Sequence, residues 1–269
     1  MNKKWLNNKT IVITGASSGI GKQLTKLFIT KNNCKVIGIA RNKQKMEALV
    51  LELGDYAKNF EYKLFDVGIE QNWIDFANSL TEPVHLLINN AGIFPKFDNF
   101  LSIGIQKGKQ VMDINYYSVV YGCNYLINKV DAGIVNICSS DALLPVAGTN
   151  YYSASKHAVK GFTLSIASEF KNKYIGCILP GFTDTDIFRD IDFTTKEAKL
   201  LKHFISPCNK ISKKIYKAII KQKRYKVIGY DAKLFNLLSK MNISGGTRLV
   251  NGVLQKTKLN MFSTIVDKN

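Results

Sequence analysis

Three groups of residues in this 269-residue chain have the types and spacing to do chemistry. Residues Thr14–Gly21 read TGASSGIG, with glycines at 15, 19 and 21. Glycines so placed permit a tight turn and let backbone N–H groups and a helix N-terminus approach a pyrophosphate. Gly15, Ser17, Ser18, Gly19, Ile20 and Gly21 are therefore expected to form a phosphate cradle. The pattern Tyr-x-x-x-Lys occurs twice, as Tyr125/Lys129 and Tyr152/Lys156. On a helix this spacing sets phenol and ammonium on one face, one turn apart. The lysine is expected to draw the phenol's pKa down from about 10, so that it exchanges a proton with a carbonyl oxygen while hydride moves at carbon. Arg41 directly follows an apolar run in IGIARN, where Ala40 stands and no carboxylate is present. A carboxylate there would hold ribose hydroxyls, whereas a guanidinium suits a 2′-phosphate through charge and paired donors.

These residues need elements to position them, and the apolar pattern supplies an alternation. Thr10–Thr14 reads as a strand and Gly19–Thr30 as a helix with Ile20, Leu24, Leu27 and Phe28 on one face. Cys34–Ala40 is a second strand, followed by a helix over Lys43–Leu53. Further strands are expected at Tyr62–Phe65, Leu86–Asn89, Gly133–Cys138, Ile175–Leu179 and Lys226–Gly229. Helices are expected near Gln71–Leu80, Lys107–Asn128 and Tyr152–Phe170. Strands and helices taking turns predict a doubly wound parallel sheet of the Rossmann type, covered on both faces. No repeat or linker divides the chain, so residues 1–269 read as one α/β domain with a helical, basic extension over 230–269. Residues 183–210 carry the least pattern and are a candidate substrate lid.

Composition narrows the class. Apolar residues make up 46% and charged residues 22%, near the averages for an ordered soluble protein, so disorder is not expected. No apolar run approaches the roughly 20 residues of a spanning helix, and the first residues lack the greasy stretch of a secretory signal. Cys34, Cys123, Cys138, Cys177 and Cys208 are scattered, which predicts neither a disulfide framework nor a zinc site and suits a cytoplasmic location. With three dispersed histidines, no metal is expected.

The glycine loop and the second Tyr-x-x-x-Lys together resemble the short-chain dehydrogenase/reductase superfamily, in its shorter branch, over roughly Lys9 to Gly229. The resemblance implies a nicotinamide cofactor and interconversion of carbonyl and alcohol. It also selects Tyr152 over Tyr125. Ser139 lies 13 residues before Tyr152, where the family's strand-end serine bonds the substrate oxygen, whereas Met112 holds that offset from Tyr125. Ser140 competes with Ser139 on type alone. Asn115 matches the family's fourth catalytic member, which holds a water beside the lysine. The implied catalytic set is Asn115, Ser139, Tyr152 and Lys156, with Ser139 and Tyr152 on the substrate. Asp66 and Val67 resemble the adenine-contacting pair. Asn90 is the second Asn of NNAG, which in the family touches the cofactor. Thr183 and Thr185 in PGFTDT resemble the loop that anchors the carboxamide, and Lys156 also reaches the nicotinamide ribose. With Arg41 in place the cofactor is expected to be NADP(H). The 24-residue step from Asn115 to Ser139 is shorter than the family's usual one.

Net charge is +18, and it is uneven. Residues 196–269 hold 17 basic and 3 acidic groups, a net +14. Ile211, Ile215 and Ile219 recur at helical spacing with lysines opposite, which predicts a docked amphipathic helix within 206–224. Leu234, Phe235, Leu237, Leu238 and Met241 within Asp231–Ile243 fit a substrate pocket, a dimer contact or a surface patch against a membrane. The reading is an NADPH-dependent reductase of a ketone or aldehyde, in a homodimer or homotetramer. The field of the tail predicts weak, salt-sensitive association with an anionic surface or an acidic carrier, peripheral to a membrane in the first case. A nucleotide-binding interaction protein acting through that tail is the alternative. No nucleic-acid recognition module is present, so no nucleic-acid partner is expected.

Overall fold

Runs of β-branched residues, TIVIT and KVIGIA among them, form strands whose two faces are both buried: Ile11, Val12, Ile13, Val36 and Ile39 have no exposed surface. The computed structural model describes residues 4–185, 202, 205–256 and 265. In chain order these carry β1 (Thr10–Thr14), α1 (Gly19–Asn32), β2 (Lys35–Ala40), α2 (Lys43–Leu53), β3 (Phe60–Leu64), α3 (Glu70–Ser79) and β4 (Val84–Asn89). There follow α4 (Phe100–Ile103), α5 (Ile105–Met112), α6 (Ser118–Leu126), β5 (Val130–Ile137), α7 (Asn150–Glu169), β6 (Tyr174–Pro180) and β7 (Thr183–Asp184). The chain continues through β8 (Ser206–Pro207), α8 (Cys208–Ile220), β9 (Tyr225–Ile228), α9 (Tyr230–Met241) and α10 (Ile243–Lys256). Seven strands form one parallel sheet in the order β3-β2-β1-β4-β5-β6-β9. The order reverses between β1 and β4, and that reversal opens a crevice at the carboxyl ends of the strands. The expected doubly wound α/β architecture is the one observed.

Each face of the sheet carries a helical layer. On one, Leu24 and Phe28 of α1 and Met46 and Leu49 of α2 share an apolar layer with Ile11, Ile13 and Val36, and Ile211, Ile215 and Ile219 of α8 extend it over Ile178 of β6 and Ile228 of β9. Burial of three isoleucines, each worth roughly 1.5–3 kcal/mol, docks α8 despite its lysines, which stay on the outer side. Tyr216 on α8 donates from its hydroxyl to Asn32 Oδ1 at 2.7 Å, tying that helix to the end of α1. On the other face Trp73 of α3, Val119 and Cys123 of α6, and Val159 of α7 pack on Val12, Leu87 and Ile134.

The structure adds detail to three expectations. The helical stretch expected over Lys107–Asn128 is found, with a π-helical turn at Asp113–Tyr117 between α5 and α6, and it ends at Leu126. The extra residue of a π turn is set by contacts remote in sequence, described below, and leaves no periodic signature. The apolar residues from Leu234 to Met241 all lie on α9, and Ile243 starts α10. The candidate lid over 183–210 has ordered ends, because β7 pairs with β8 and residues 208–210 already belong to α8. Most of its span lies outside the described residues. No helix among the described residues is long and apolar enough to cross a membrane.

Candidate active site

The crevice at the β1/β4 reversal is built from backbone first. Gly15 has φ +67°, and a Cβ there would stand 2.9 Å from Asn90 Nδ2; a Cβ at Gly21 would run into the Gly15 carbonyl oxygen. Only glycines let β1, the loop and the start of α1 come this close to the β4 end. Asn90 holds the approach: Nδ2 donates to Thr14 O at 2.9 Å, while the backbone N–H groups of Asn90 and Ala91 both donate to Thr14 Oγ1 at 2.9 Å. Its amide is thus spent on the loop itself. Ser18 is the N-cap residue of α1, extended and making no side-chain capping hydrogen bond, and the first turn carries no acidic residue, so the positive dipole end of α1, which lines the cavity, is not neutralised from within. Gly15, Ser18, Gly19 and Ile20 line that cavity, with Ser17 half-buried and Gly21 buried beside them.

The far wall carries the side chains. Ser139, Tyr152, Lys156, Thr183 and Thr185 line the same cavity. The Ser139 hydroxyl stands beside the Tyr152 phenol, close enough to pull its pKa down. It also accepts from Asp141 N at 3.2 Å, capping a short 3₁₀ turn, Ser140–Ala142. Lys156 Nζ lies 5.7 Å from the Tyr152 ring centroid and donates to Ile137 O at 3.3 Å. Asn115, wholly buried in the π turn, accepts from Ile93 N at 2.7 Å and donates to Ile93 O at 2.9 Å and Ser155 Oγ at 3.1 Å. A Cβ at Gly92 would sit 3.3 Å from Asn115 Oδ1 and 3.4 Å from Lys156 Nζ, so this glycine keeps the gap between amide and ammonium open.

The two alternatives left by the sequence separate here. Tyr125 donates to Glu70 Oε1 at 2.6 Å at the surface, and Lys129 lies beyond the end of α6. Ser140 is buried and does not line the cavity. The expected fall in the Tyr152 pKa is overturned. Burial pushes the phenol up, above its ordinary value, against the pull of the Ser139 hydroxyl. Burial likewise lowers Lys156, which is turned toward the Ile137 carbonyl and not the phenol oxygen. Desolvation is strongest at Lys156, which is 4% exposed, while Tyr152 is half-buried on the cavity wall. Tyr152 is a protonated phenol at neutral pH.

Away from this wall the site is open. Arg41 is exposed at the end of β2, its Nη1 3.1 Å from Asp66 Oδ2. Asp66 Oδ1 accepts from Gly68 N at 2.9 Å, and the Val67 carbonyl accepts from Trp73 Nε1 at 2.8 Å, which fixes the turn after β3. Arg41, Asp66 and Val67 are not part of the cavity lining. Thr183 donates to Gly181 O at 2.8 Å, while the buried hydroxyl of Thr185 has no partner among the described residues. That orphan, beside Gly19 and facing a glycine cradle, fits a bound dinucleotide whose carboxamide would complete it.

Sequence reasoning missed two carboxyls. Asp141 lines the cavity, is 4% exposed, and is pushed up to about 7 by burial. Its signal was an acid in the otherwise small or apolar run SSDALLPVAG. Asp231 accepts from Phe182 N at 2.6 Å through Oδ2, clamping the PGFTDT loop to the start of α9. No local pattern marks that contact, since 49 residues separate the partners.

Comparison with known proteins agrees with this geometry. The short chain dehydrogenase family matches residues 9–196. Cyclohexanol dehydrogenase of Acinetobacter sp. (strain SE19) is 30% identical over 205 residues, covering 73% of this chain and 80% of that protein. 3beta-hydroxysteroid dehydrogenase 2 of Eggerthella lenta is 31% identical over 195 residues, covering 68% and 74% respectively. Among solved structures, levodione reductase superposes with a TM-score of 0.75 at 20% identity, over 86% of this chain and 98% of that one, a likeness of fold. With its doubly wound sheet and glycine-lined crevice, the chain belongs to the short-chain dehydrogenase family and is an oxidoreductase of that family.

Proposed function

We propose that this protein interconverts a ketone or aldehyde and the corresponding alcohol, with NADP(H) as cofactor. The observation that carries the reading is the convergence of Ser139, Tyr152 and Lys156 on one cavity whose opposite wall is the glycine loop. A bound nicotinamide dinucleotide would supply or accept the hydride. Ser139 and Tyr152, neighbours on the cavity wall, orient a carbonyl oxygen between two hydroxyls. Tyr152, protonated at neutral pH, gives its phenolic proton to that oxygen as charge builds there. Lys156 stabilises the phenolate left behind, in a buried setting where one charge acts strongly on another. Asn115 fixes the turn facing Lys156, and the space at Gly92 leaves room for a water through which the proton is replaced. Gly15, Gly19 and the N-terminus of α1 hold the pyrophosphate, and Thr183 and Thr185 hold the carboxamide.

Arg41 supports the phosphorylated cofactor. Its pairing with Asp66 is exposed and worth about 0–1 kcal/mol, so a 2′-phosphate dianion competes for the guanidinium on favourable terms. Named relatives act on cyclohexanol and a 3beta-hydroxysteroid, which supports a secondary alcohol or its ketone as substrate. We place the protein in the cytoplasm as a homodimer or homotetramer. The test is oxidation of NADPH and NADH by the purified protein across a panel of ketones and aldehydes. Turnover with NADPH preferred is expected. Tight cofactor binding with no turnover on any carbonyl would favour an interaction protein that acts through its basic tail.

A further inference from the structure

The basic tail takes no part in the reaction. Residues 208–256 hold twelve lysines and arginines against one acid, Asp231. That acid is buried and accepts from Phe182 N, whereas all twelve basic side chains are exposed. The run α8–β9–α9–α10 therefore shows solvent positive charge and no carboxylate of its own. On α9 a second feature joins it. Tyr230, Leu234, Leu237 and Met241 follow at i, i+4, i+7 and i+11, which sets them in one stripe along the helix. Asp231, Ala232 and Phe235 dock the buried side of α9, so the stripe faces outward, with exposures from 47% to 77%. Lys233 and Lys240 each stand one position before a stripe residue and run along its edge. The Nζ atoms of Lys214 on α8 and of Lys233 lie 5.6 and 6.0 Å from the Tyr230 ring centroid. Next in the chain, α10 carries exposed Leu249 and Val253 with exposed Arg248 beside them.

We propose that the outer face of α9 and α10 docks the protein peripherally on an anionic lipid surface. A helix with an apolar stripe edged by lysines lies in the plane of a bilayer interface, its apolar side chains among the acyl chains and its ammoniums at the phosphates. Tyr230 suits that boundary, with an apolar ring and a hydroxyl for the wet side. Charge selects an anionic leaflet over a neutral one. The stripe selects lipid over RNA, which would ask for stacking rings where Leu234, Leu237 and Met241 stand. The inference does not depend on the hydride-transfer reading. It does touch the site, because Phe235 on the buried side of α9 meets the cavity residue Phe182 edge-on, centroids 6.0 Å apart.

The test is co-sedimentation of the full chain with vesicles of phosphatidylcholine, alone or with about 30% phosphatidylserine, at about 0.1 M and about 1 M salt. At the lower salt, affinity for the anionic vesicles is expected to exceed that for neutral ones by about tenfold or more, and to fall as salt rises. Lys233→Gln with Lys240→Gln should weaken it about twentyfold, at roughly fivefold for each charge. Leu237→Gln with Met241→Gln keeps every charge and should still weaken it about tenfold. Both double variants change exposed side chains and should melt with the wild type. No sedimentation with the anionic vesicles overturns the proposal, as does equal binding to the neutral ones. Wild-type binding by the Leu237→Gln, Met241→Gln variant overturns it too, since charge alone would then hold any polyanion. So does a dimer in light scattering that this variant splits, because the stripe would then be a contact between two copies of the chain.

Discussion

The two ends of the crevice are held by opposite physics. At the catalytic end Lys156, Asn115 and Asp141 are almost wholly buried, and Tyr152 is pressed between Phe94, Ser139 and the lysine. At the adenine end Arg41 and Asp66 face solvent and hold each other at 3.1 Å. Buried groups feel one another in a low dielectric and have no water to replace a lost partner. Exposed groups keep their hydration and are screened over about 8 Å at physiological salt. In the proposed function, chemistry is vested in the sealed end and cofactor choice in the open one. Substitutions should follow that division in size.

The largest effect belongs to the proton donor. Tyr152→Phe removes one hydroxyl and is expected to lower turnover by about 10²–10⁴-fold, the usual worth of a general acid, with cofactor affinity nearly intact. Parallel steady-state rates and cofactor titrations check it; retention of more than a few per cent of activity would move the donor elsewhere. Lys156→Ala should come next and hit both quantities, since the proposed function has the lysine steady the phenolate and hold the ribose. Turnover should fall on the order of a hundredfold and cofactor affinity by about 1.5 kcal/mol. Unchanged affinity would contradict the second role.

Asp141 sharpens the comparison through stability. Its folded pKa, about 7, stands above the ordinary 3.8, so the native state binds the extra proton. Stability therefore falls as pH rises from about 4 to about 7 and stays low above that. Asp141→Asn should raise the melting temperature at pH 8, by a free energy on the order of 2–4 kcal/mol, and barely change it at pH 4. An equal gain at both pH values would mean that the carboxyl is not held protonated. The smallest effect is at the open end. Arg41→Ala should weaken NADPH by roughly 1.5–3 kcal/mol and leave NADH almost untouched, in line with loss of one charge-assisted contact. Titration of both cofactors at two salt concentrations decides it. Equal losses for the two would remove Arg41 from the 2′-phosphate.

Legibility in the sequence divides along a related line. The phosphate loop, the strand–helix alternation and the docked face of α8 could be read because each depends on residues close in the chain. Even the pair Tyr152/Lys156 is local, although its choice over Tyr125/Lys129 needed the upstream serine. The π turn at Asn115 could not be read, because it rests on hydrogen bonds to Ile93 and Ser155, 22 and 40 residues away. The direction of the Tyr152 pKa was misread for a similar reason. A neighbouring lysine is visible in sequence, whereas desolvation by burial exists only in the folded chain. Asp141 was in plain view as a residue, but the cavity it lines is made by four separate loops.

The central claim, hydride transfer at the Tyr152 wall, is tested most directly by label. NADPH carrying deuterium on both C4 positions is incubated with the protein and a panel of plain and hydroxyl-bearing ketones, and the alcohols are analysed by mass spectrometry. The account predicts one deuterium at the carbinol carbon of at least one product, and its near-complete loss in Tyr152→Phe at unchanged cofactor occupancy. Saturating cofactor binding with no labelled alcohol from any ketone would contradict it.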